Sequence, residues 1–302
     1  ASKNWKRYMS DTKLKNALVT WASGSSFFEE HGFDVFLASL EVIPEDVDVY
    51  VFTEEMPSEI ESKLNKSRCE IVKIAKEDIK FLYRERHLVY WEFVLKVLGK
   101  YKYLFFTDSR DVVFQRNPFE WMEDFSKKSQ KEEFIVCISE GMNHSQSDWN
   151  MQEQENLQSD IEDFKVDPRD RPIINGGIVL GTPNALKNHF FLIWSNYVRV
   201  SCAAGWEKPD VKSTTGRCTD QAVLNYLCNF LEKDPVYHII DPLNDLLCAT
   251  GEAIKFGYLH IDYENNQFLH STLGEPFYLI HQWDRTVHKT DTIMKYIGFS
   301  SK

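Results

Sequence analysis

The sequence lacks several signatures that would assign a function at once. No stretch approaches the roughly 20 consecutive apolar residues of a membrane-spanning helix, and the charged residues 1–13 do not resemble a signal peptide. There is no P-loop, no GxGxxG fingerprint and no GxSxG elbow. Internal repeats and low-complexity segments are also missing, so these common routes to an assignment are excluded.

The chain has no excess of positive charge. Its 302 residues include 35 Lys and Arg against 46 Asp and Glu, which gives a net charge of −11. Non-specific nucleic-acid binding depends on basic surface that neutralises phosphates. We therefore expect no nucleic-acid partner, although a local basic pocket for a nucleotide stays compatible with this charge.

The cysteines form no CxxC pair, which argues against a structural zinc site. Their spacing is diffuse for a disulfide framework, so we expect free thiols, a reducing compartment and a cytoplasmic location. A bridge between Cys202 and Cys218 stays open as an alternative. The six positions are Cys69, Cys137, Cys202, Cys218, Cys228 and Cys248.

Apolar residues, in contrast, are plentiful, at 43% with 21 Phe, 13 Tyr and 8 Trp, which is enough for a substantial core. Short apolar runs at 17–20, 47–52, 69–74, 103–107 and 134–139 read as strands, with a periodic helix at 86–98 between the third and fourth. Strands that alternate with helices favour βαβ units. We expect an α/β fold with a mostly parallel, Rossmann-like central sheet flanked by helices.

The most informative run is residues 103–114, where an apolar strand ends abruptly in Asp108 and a second acid follows at Asp111. Open α/β sheets place ligands at the carboxyl ends of their strands. Two carboxylates there suit Mg²⁺ or Mn²⁺ carrying a diphosphate. The alternative is that Asp108 caps a turn and Asp111 is a solvated surface acid.

Two further motifs border this region in our interpretation. Asn175, Gly176 and Gly177 interrupt an apolar strand, and interior glycine marks either a plain bulge or a close approach of backbone to a ligand. Asp220 and Gln221 open a periodic helix, where Asp220 is either a helix cap or a carboxylate directed into the cleft.

His281 follows the late apolar run 277–280, which we expect to be a strand of the parallel sheet. A lone His is more often structural than a ligand. Together with Asp108 and Asp111, however, it completes a mixed set of oxygen and nitrogen donors that Mn²⁺ accepts.

The polar segment 144–171 is too long for an ordinary connection and has almost no aliphatic run. We expect a lid or acceptor-binding excursion, or else a mere surface insertion. Residues 201–217 are a second candidate loop.

In this order, the motifs resemble those of nucleotide-sugar glycosyltransferases of the GT-A fold with a glycogenin-like layout. The amino-acid sequence of residues 107–115, together with residues 220–221 and 281–285, is similar to that of a subgroup of these enzymes from algae and large algal viruses. The resemblance spans about residues 17–288. It implies one GT-A-like domain over 1–302, with a nucleotide-binding half (14–140) and an acceptor and sugar half (141–302).

The resemblance also implies roles for individual residues. Asp108, His281 and Asp111 would hold Mn²⁺ or Mg²⁺, and a UDP-sugar would donate a hexose or a pentose such as xylose to a glycan or glycoprotein. Catalysis is assigned to Asp220 and Gln221, with Glu140 and Asp148 as candidates for a general base. Donor binding is assigned to Thr20, Trp21, Ala22, Arg86, Thr107, Asp108, Ser109 and Arg110, and sugar or acceptor binding to Asn175, Gly176, Gly177, Trp149 and Trp206. For Trp21 the alternative is packing in the core.

One departure from the family pattern matters. The acidic motif is Asp108-Ser109-Arg110-Asp111, so Arg110 stands where the second acid of an Asp-x-Asp motif is expected. Either Asp111 turns inward, or Asp108 binds metal with His281 alone, or Arg110 itself neutralises phosphate.

Two other classes of function stay open. A nucleotidyltransferase or sugar pyrophosphorylase also uses paired acids, but it requires a glycine-rich phosphate loop that residues 21–24 fit poorly. A non-catalytic sugar-binding module with a degenerate metal site is the second alternative, and Arg110 keeps it open.

Overall fold

The computed structural model describes residues 14–22, 32–75, 82–160, 167–203, 220–231, 234–262, 264–265 and 267–283. Its strands are β1 (Lys15–Trp21), β2 (Asp48–Thr53), β3 (Cys69–Lys73), β4 (Tyr101–Thr107), β5 (Val112–Phe114), β6 (Ile135–Asn143), β7 (Pro172–Gly181), β8 (Tyr237–Ile240), β9 (Cys248–Ala249), β10 (Leu259–Asp262), β11 (Gln267–His270) and β12 (Leu279–His281). Its α-helices are α1 (Gly32–Ser39), α2 (Ser58–Asn65), α3 (Leu82–Val97), α4 (Pro118–Ser129), α5 (Asp148–Asp160), α6 (Pro183–Ala203), α7 (Asp220–Leu231) and α8 (Gly251–Lys255), with 3₁₀ turns at Leu40–Val42 and His144–Gln146.

A seven-stranded sheet in the order β3-β2-β1-β4-β7-β6-β8 organises the fold. β7 is antiparallel to both of its neighbours, and the other pairings are parallel. The predicted α/β class and mostly parallel sheet are therefore confirmed. Strands from both predicted halves of the chain share this sheet.

The central position of β4 follows from its sequence. Apart from the exposed Lys102, all its residues are buried, as expected for a strand covered on both faces. β2 and β3 follow β1 on one side of it, whereas β4 pairs with β1 on the other side, so the strand order reverses between β1 and β4. Ligands of open α/β sheets bind in the crevice beside such a switch point. Asp108 comes directly after β4 and so stands at that crevice.

The core lies in two layers on opposite faces of the sheet. Apolar side chains of α3, α6 and α7 pack on one face, and those of α1, α2 and α4 pack on the other. Alternation along β1 supplies both layers, because Val19 faces the first and Leu18 the second. The sheet is thus a middle layer between helices.

A second, three-stranded sheet in the order β5-β12-β9 lies outside the main sheet. β12 is antiparallel to β5 and parallel to β9. The prediction that His281 ends a strand is confirmed, but its place in the parallel sheet was wrong. The pairing of Ile280 with Val113 and of His281 with Val112, just after Asp111, brings His281 to the acidic segment.

The expectation of a loop over 144–171 was wrong for much of its length. Asp148–Asp160 forms α5, although Leu157 is the single buried apolar side chain among the described side chains of this helix. Polar contacts hold this helix instead, since Gln154 Nε2 donates to the carbonyl oxygen of Ala222, 2.9 Å away. An amphipathic pattern based on hydropathy cannot reveal a helix that is fixed in this way.

Cys69, Cys137, Cys228 and Cys248 are free and buried, as predicted. Cys218 and the side chain of Cys202 lie outside the described residues, so the alternative bridge stays open. Within the described ranges, no helix has both the length and the apolarity that crossing a membrane requires.

Candidate metal and substrate site

Asp108, Asp111 and His281 converge in one cluster. One ligand atom from each lies within 4.8 Å of the other two. His281 Nε2 is 3.3 Å from Asp111 Oδ1 and 3.7 Å from Asp108 Oδ2. The side chains of His281 and Asp111 are 2% and 6% exposed, whereas that of Asp108 is 40% exposed and opens to the crevice.

The arrangement fits a divalent cation. Nδ1 of His281 is buried without a hydrogen-bond partner among the described residues, and Nε2 faces only the carboxylates of Asp111 and Asp108. Buried polar atoms of this kind call for a ligand or an ion. Two carboxylates and one imidazole are donors that Mn²⁺ accepts, while Mg²⁺ prefers oxygen donors alone.

The two acids also control the protonation of His281. Burial alone would lower the pKa of the imidazole, but the facing carboxylates of Asp111 and Asp108 outweigh burial and raise that pKa to about 10. A metal ion that binds here therefore competes with a proton on His281.

The acidic segment owes its shape to contacts with β7, with β1 and with the residue that follows β12. The amide of Asp108 donates to the carbonyl oxygen of Gly177 (2.8 Å), and Ser109 Oγ donates to that of Trp21 (3.2 Å). The amide of Gln282 donates to the carbonyl oxygen of Asp111 (2.8 Å). These contacts turn Asp111 inward, which agrees with the first of the three alternatives for the motif.

Arg110 lies at the exposed edge of the cluster. Its side chain is 42% exposed, and Nη2 is 4.0 Å from Asp111 Oδ2. Gly32, at the start of α1, lies so close to the carbonyl oxygen of Arg110 that a Cβ at Gly32 would be 2.0 Å from it. The backbone at Arg110 is thus held in place by α1, while the guanidinium stays partly exposed beside Asp111.

Gly177 makes the closest approach of backbone to the cluster. A Cβ at this position would lie 2.4 Å from Asp108 Oδ2 and 2.7 Å from His281 Cε1. The antiparallel course of β7 carries Asn175 to Gly177 past the end of β4, where Ile178 pairs with Thr107. The lack of a side chain at Gly177 thus lets Asp108 and His281 approach β7. The register of β6 and β7 also shifts between the pairs Cys137–Val179 and Ser139–Ile174, so the motif is both a bulge and a close approach of backbone to the cluster.

A buried ionic cluster adjoins the acids. Arg86 Nη2 pairs with Asp220 Oδ2, and Arg86 Nη1 is 3.4 Å from Asp108 Oδ1. His87 Nε2 is 3.1 Å from the same Asp220 oxygen. The sequence analysis did not predict a role for His87, although its place beside Arg86 on a periodic helix was a usable signal.

Electrostatics in this cluster favour the charged form of Asp220. Burial acts to raise the pKa of its carboxyl, but Arg86 and His87 outweigh burial and lower that pKa to about 2. For Arg86, burial acts to lower the guanidinium pKa, and the carboxylates of Asp220 and Asp108 raise it above its usual range. Burial lowers the pKa of His87 by more than Asp220 raises it, so His87 is neutral.

A network of amides continues from Asp220 toward Glu140. Gln221 Oε1 accepts from the amide of Gly176 (3.1 Å), and Gln221 Nε2 donates to Glu140 Oε1 (3.3 Å) and to Asn150 Oδ1 (3.0 Å). Glu140 Oε1 also accepts from Asn175 Nδ2 (3.1 Å). These contacts fix the orientation of the Gln221 amide.

Asn225 attaches α7 to β7 and so positions this network. Its Oδ1 accepts from the amide of Ile174 (2.7 Å), and its Nδ2 donates to the carbonyl oxygen of the same residue (2.9 Å). Asn225 and Asn150 are further residues that the sequence analysis did not assign. The spacing of four between Gln221 and Asn225, which places both on one helix face, was the only available signal for Asn225.

The other predicted residues lie farther from the cluster or are covered. Thr20 and Ala22 are fully buried. Trp21 is 6% exposed, stacks on Phe52 at 5.9 Å and donates from Nε1 to Glu54 Oε2 (2.8 Å), which agrees with core packing. The Thr107 hydroxyl donates to the carbonyl oxygen of Asp108 (2.9 Å).

Of the residues predicted on the acceptor side, Asp148 and Trp149 lie in the first turn of α5. Both are exposed, Trp149 by 54%. They precede Asn150, which is part of the amide network. Trp206 lies outside the described residues.

A groove of about 740 Å³ lies away from the candidate site. It runs between β3 and α3, with Val72, Leu88 and Phe93 among its lining residues, and it contains none of the predicted site residues. We place the candidate site by its chemistry and not by the size of this groove.

No protein-family model matches the chain, and no curated protein matches it to a significant degree. The interpretation of the site therefore depends on its own residues and geometry.

Proposed function

We propose that this protein is a metal-dependent glycosyltransferase of the GT-A type, which moves a hexose or a pentose such as xylose from a UDP-sugar to a hydroxyl of a glycan or glycoprotein. The observation that carries the proposal is the cluster of Asp108, Asp111 and His281 at the end of β4, with Gly177 against it. Paired acids with an imidazole suit Mn²⁺ better than Mg²⁺.

When bound, the divalent cation supplies Lewis-acid stabilisation of the diphosphate leaving group. Arg86 adds a guanidinium on the same side, 3.4 Å from Asp108, where it is suited to a phosphate oxygen. A side chain at Gly177 would clash with Asp108 and His281, so the glycine keeps both of these groups in place for the diphosphate. Arg110 supplies a second, more exposed cation close by.

In the proposed transfer, the bond from the anomeric carbon to the diphosphate oxygen breaks, and UDP leaves with the electron pair. The acceptor oxygen bonds to the anomeric carbon and loses its proton to a carboxylate. Glu140 suits that role better than Asp148, because Asn175 and Gln221 orient its carboxylate beside the glycines of the site, while Asp148 lies at the exposed start of α5. Trp149, exposed beside Asn150, offers an aromatic face to the acceptor sugar.

Calorimetry with UDP, GDP and UDP-sugars, each with and without Mn²⁺, tests the proposal. We expect UDP to bind more tightly than GDP, and Mn²⁺ to strengthen UDP binding. Asp108→Ala should abolish the contribution of Mn²⁺ while the melting temperature stays near that of the wild type, because this side chain is 40% exposed.

Two results would contradict the proposal. Full activity of Asp108→Ala at ordinary Mn²⁺ concentrations would remove the metal assignment. Tight binding of a UDP-sugar with no transfer to any hydroxyl acceptor, water included, would favour the non-catalytic binding module.

A further inference from the structure

The carboxylate of Asp220 is almost enclosed by the protein. Its side chain is 7% exposed, and both oxygens already have donors. Oδ2 faces Arg86 and His87, and Oδ1 accepts from the amide of Gln221 at 2.9 Å. A carboxylate that acts directly on an anomeric carbon must expose an oxygen atom to the substrate. The carboxylate of Asp220 exposes very little oxygen surface.

Arg86, in contrast, reaches from the interior to the crevice. One terminal nitrogen pairs with the buried Asp220, and the other lies 3.4 Å from the more exposed Asp108. A flexible side chain of this length loses much rotamer freedom when it is held in one place. The ion pair with Asp220 supplies that restraint in advance of any ligand.

His87 restrains Asp220 in turn. An ionised carboxylate only accepts hydrogen bonds, so the contact of 3.1 Å places the proton of the neutral imidazole on Nε2. The ring packs 6.0 Å from that of Phe190, and its Nδ1 has no hydrogen-bond partner among the described residues. The orientation of His87 is therefore set by packing and by this single contact.

From this geometry we propose that Asp220 and His87 are positioning residues, which hold the guanidinium of Arg86 beside Asp108 to receive the diphosphate of the donor. In this assignment Asp220 does not touch the sugar, and its effect on the reaction passes through Arg86. The inference depends on the proposed function, because it takes the diphosphate of a nucleotide as the ligand.

A double-mutant cycle on UDP binding in saturating Mn²⁺ tests the assignment. We expect Arg86→Gln and Asp220→Asn each to weaken UDP binding about 10- to 100-fold, the range for one charge-assisted hydrogen bond. The double variant should bind no more weakly than the weaker single variant, because both substitutions remove the same contact. His87→Leu should weaken binding in the wild type and change nothing in the Arg86→Gln background.

Steady-state kinetics give a second readout. Asp220→Asn should raise the KM for the donor more than it lowers kcat, because it loosens a binding contact. Asp46→Asn removes the same charge at an exposed position and should change neither quantity. Melting temperatures identify a single variant that fails to fold. If that variant is Arg86→Gln, Arg86→Lys replaces it in the cycle.

Additive losses in the double variant, or a fall in kcat at an unchanged KM in Asp220→Asn, would overturn the positioning role and place Asp220 at the reacting sugar. Either result would leave the proposed function intact. Absence of UDP binding by the wild-type protein in Mn²⁺ would overturn both proposals.

Discussion

Replacement of Gly177 by alanine tests the candidate site with a single methyl group. The backbone of Gly177 lies outside the left-handed region, so alanine can adopt its conformation and any effect is steric. The new Cβ would lie 2.4 Å from Asp108 Oδ2 and 2.7 Å from His281 Cε1. Neither distance is compatible with van der Waals contact, so both side chains, or the backbone of Gly177 itself, have to shift.

Burial determines how the two side chains respond. Asp108 is 40% exposed and can rotate toward solvent, whereas His281 is 2% exposed and shifts only if the small sheet or the backbone of Gly177 adjusts with it. The cost in stability should therefore fall within the roughly 1–3 kcal/mol typical of overpacking. The loss of Asp108 from the cluster should weaken Mn²⁺ binding about 10- to 100-fold, as misoriented metal ligands do, which is about 1.4–2.8 kcal/mol.

Gly176→Ala is the matched control. Its Cβ would meet Gln221 Cβ at 3.2 Å, a tight contact that involves no predicted metal ligand. Mn²⁺ affinity measured by calorimetry, with melting temperature alongside, separates the two variants. If Gly177→Ala bound Mn²⁺ as tightly as Gly176→Ala and the wild type, the metal would not be at this cluster.

Three further predictions concern protons and catalysis. Because the pKa of His281 is raised to about 10, the ring is charged at pH 7, so Mn²⁺ binding should release about one proton and tighten about tenfold per pH unit up to that pKa; calorimetry in buffers of different ionisation enthalpy measures this, and an affinity independent of pH would contradict it. The pKa of Asp220 is lowered from 3.8 to about 2, so its contribution to stability is present above about pH 4 and is lost as the pH falls through 2. Asp220→Asn should therefore remove about 2 kcal/mol from the decline in the free energy of unfolding between pH 4 and pH 2, and an unchanged decline in urea titrations would refute the shift. Glu140→Gln preserves an acceptor for Asn175 and should keep the melting temperature while lowering kcat by on the order of 10²-fold or more; near-normal turnover would exclude Glu140 as the base.

The sequence predicted the parts of the fold that local patterns determine. The strand before Asp108, the Gly-containing strand β7 and the helix at Asp220 all follow from apolar periodicity and occur where expected. The convergence of Asp108, Asp111 and His281 was inferred from donor chemistry and family resemblance, and the geometry agrees with it.

Other features depend on tertiary contacts that no local pattern records. α5 is anchored by side-chain amides, and hydropathy does not detect such contacts. The direction of β7 and the pairing of β12 with β5 are choices of topology, which strand sequences alone do not decide. Arg86 and His87, which enclose Asp220, lie more than 130 positions before it in the chain. The local sequence therefore contained no sign of this enclosure, and the Asp220 carboxylate was predicted to point into the cleft.

The division of the proposed metal ligands between two sheets bears on the order of events during synthesis of the protein. Asp111 precedes His281 by 170 residues, and a ribosome that adds 5–20 residues per second needs roughly 10 to 35 s to cover that distance. During this interval the nascent chain carries both carboxylates without the imidazole that faces them. Uptake of an ion would therefore wait until β12 has paired with β5, and it would mark the completion of folding instead of starting it.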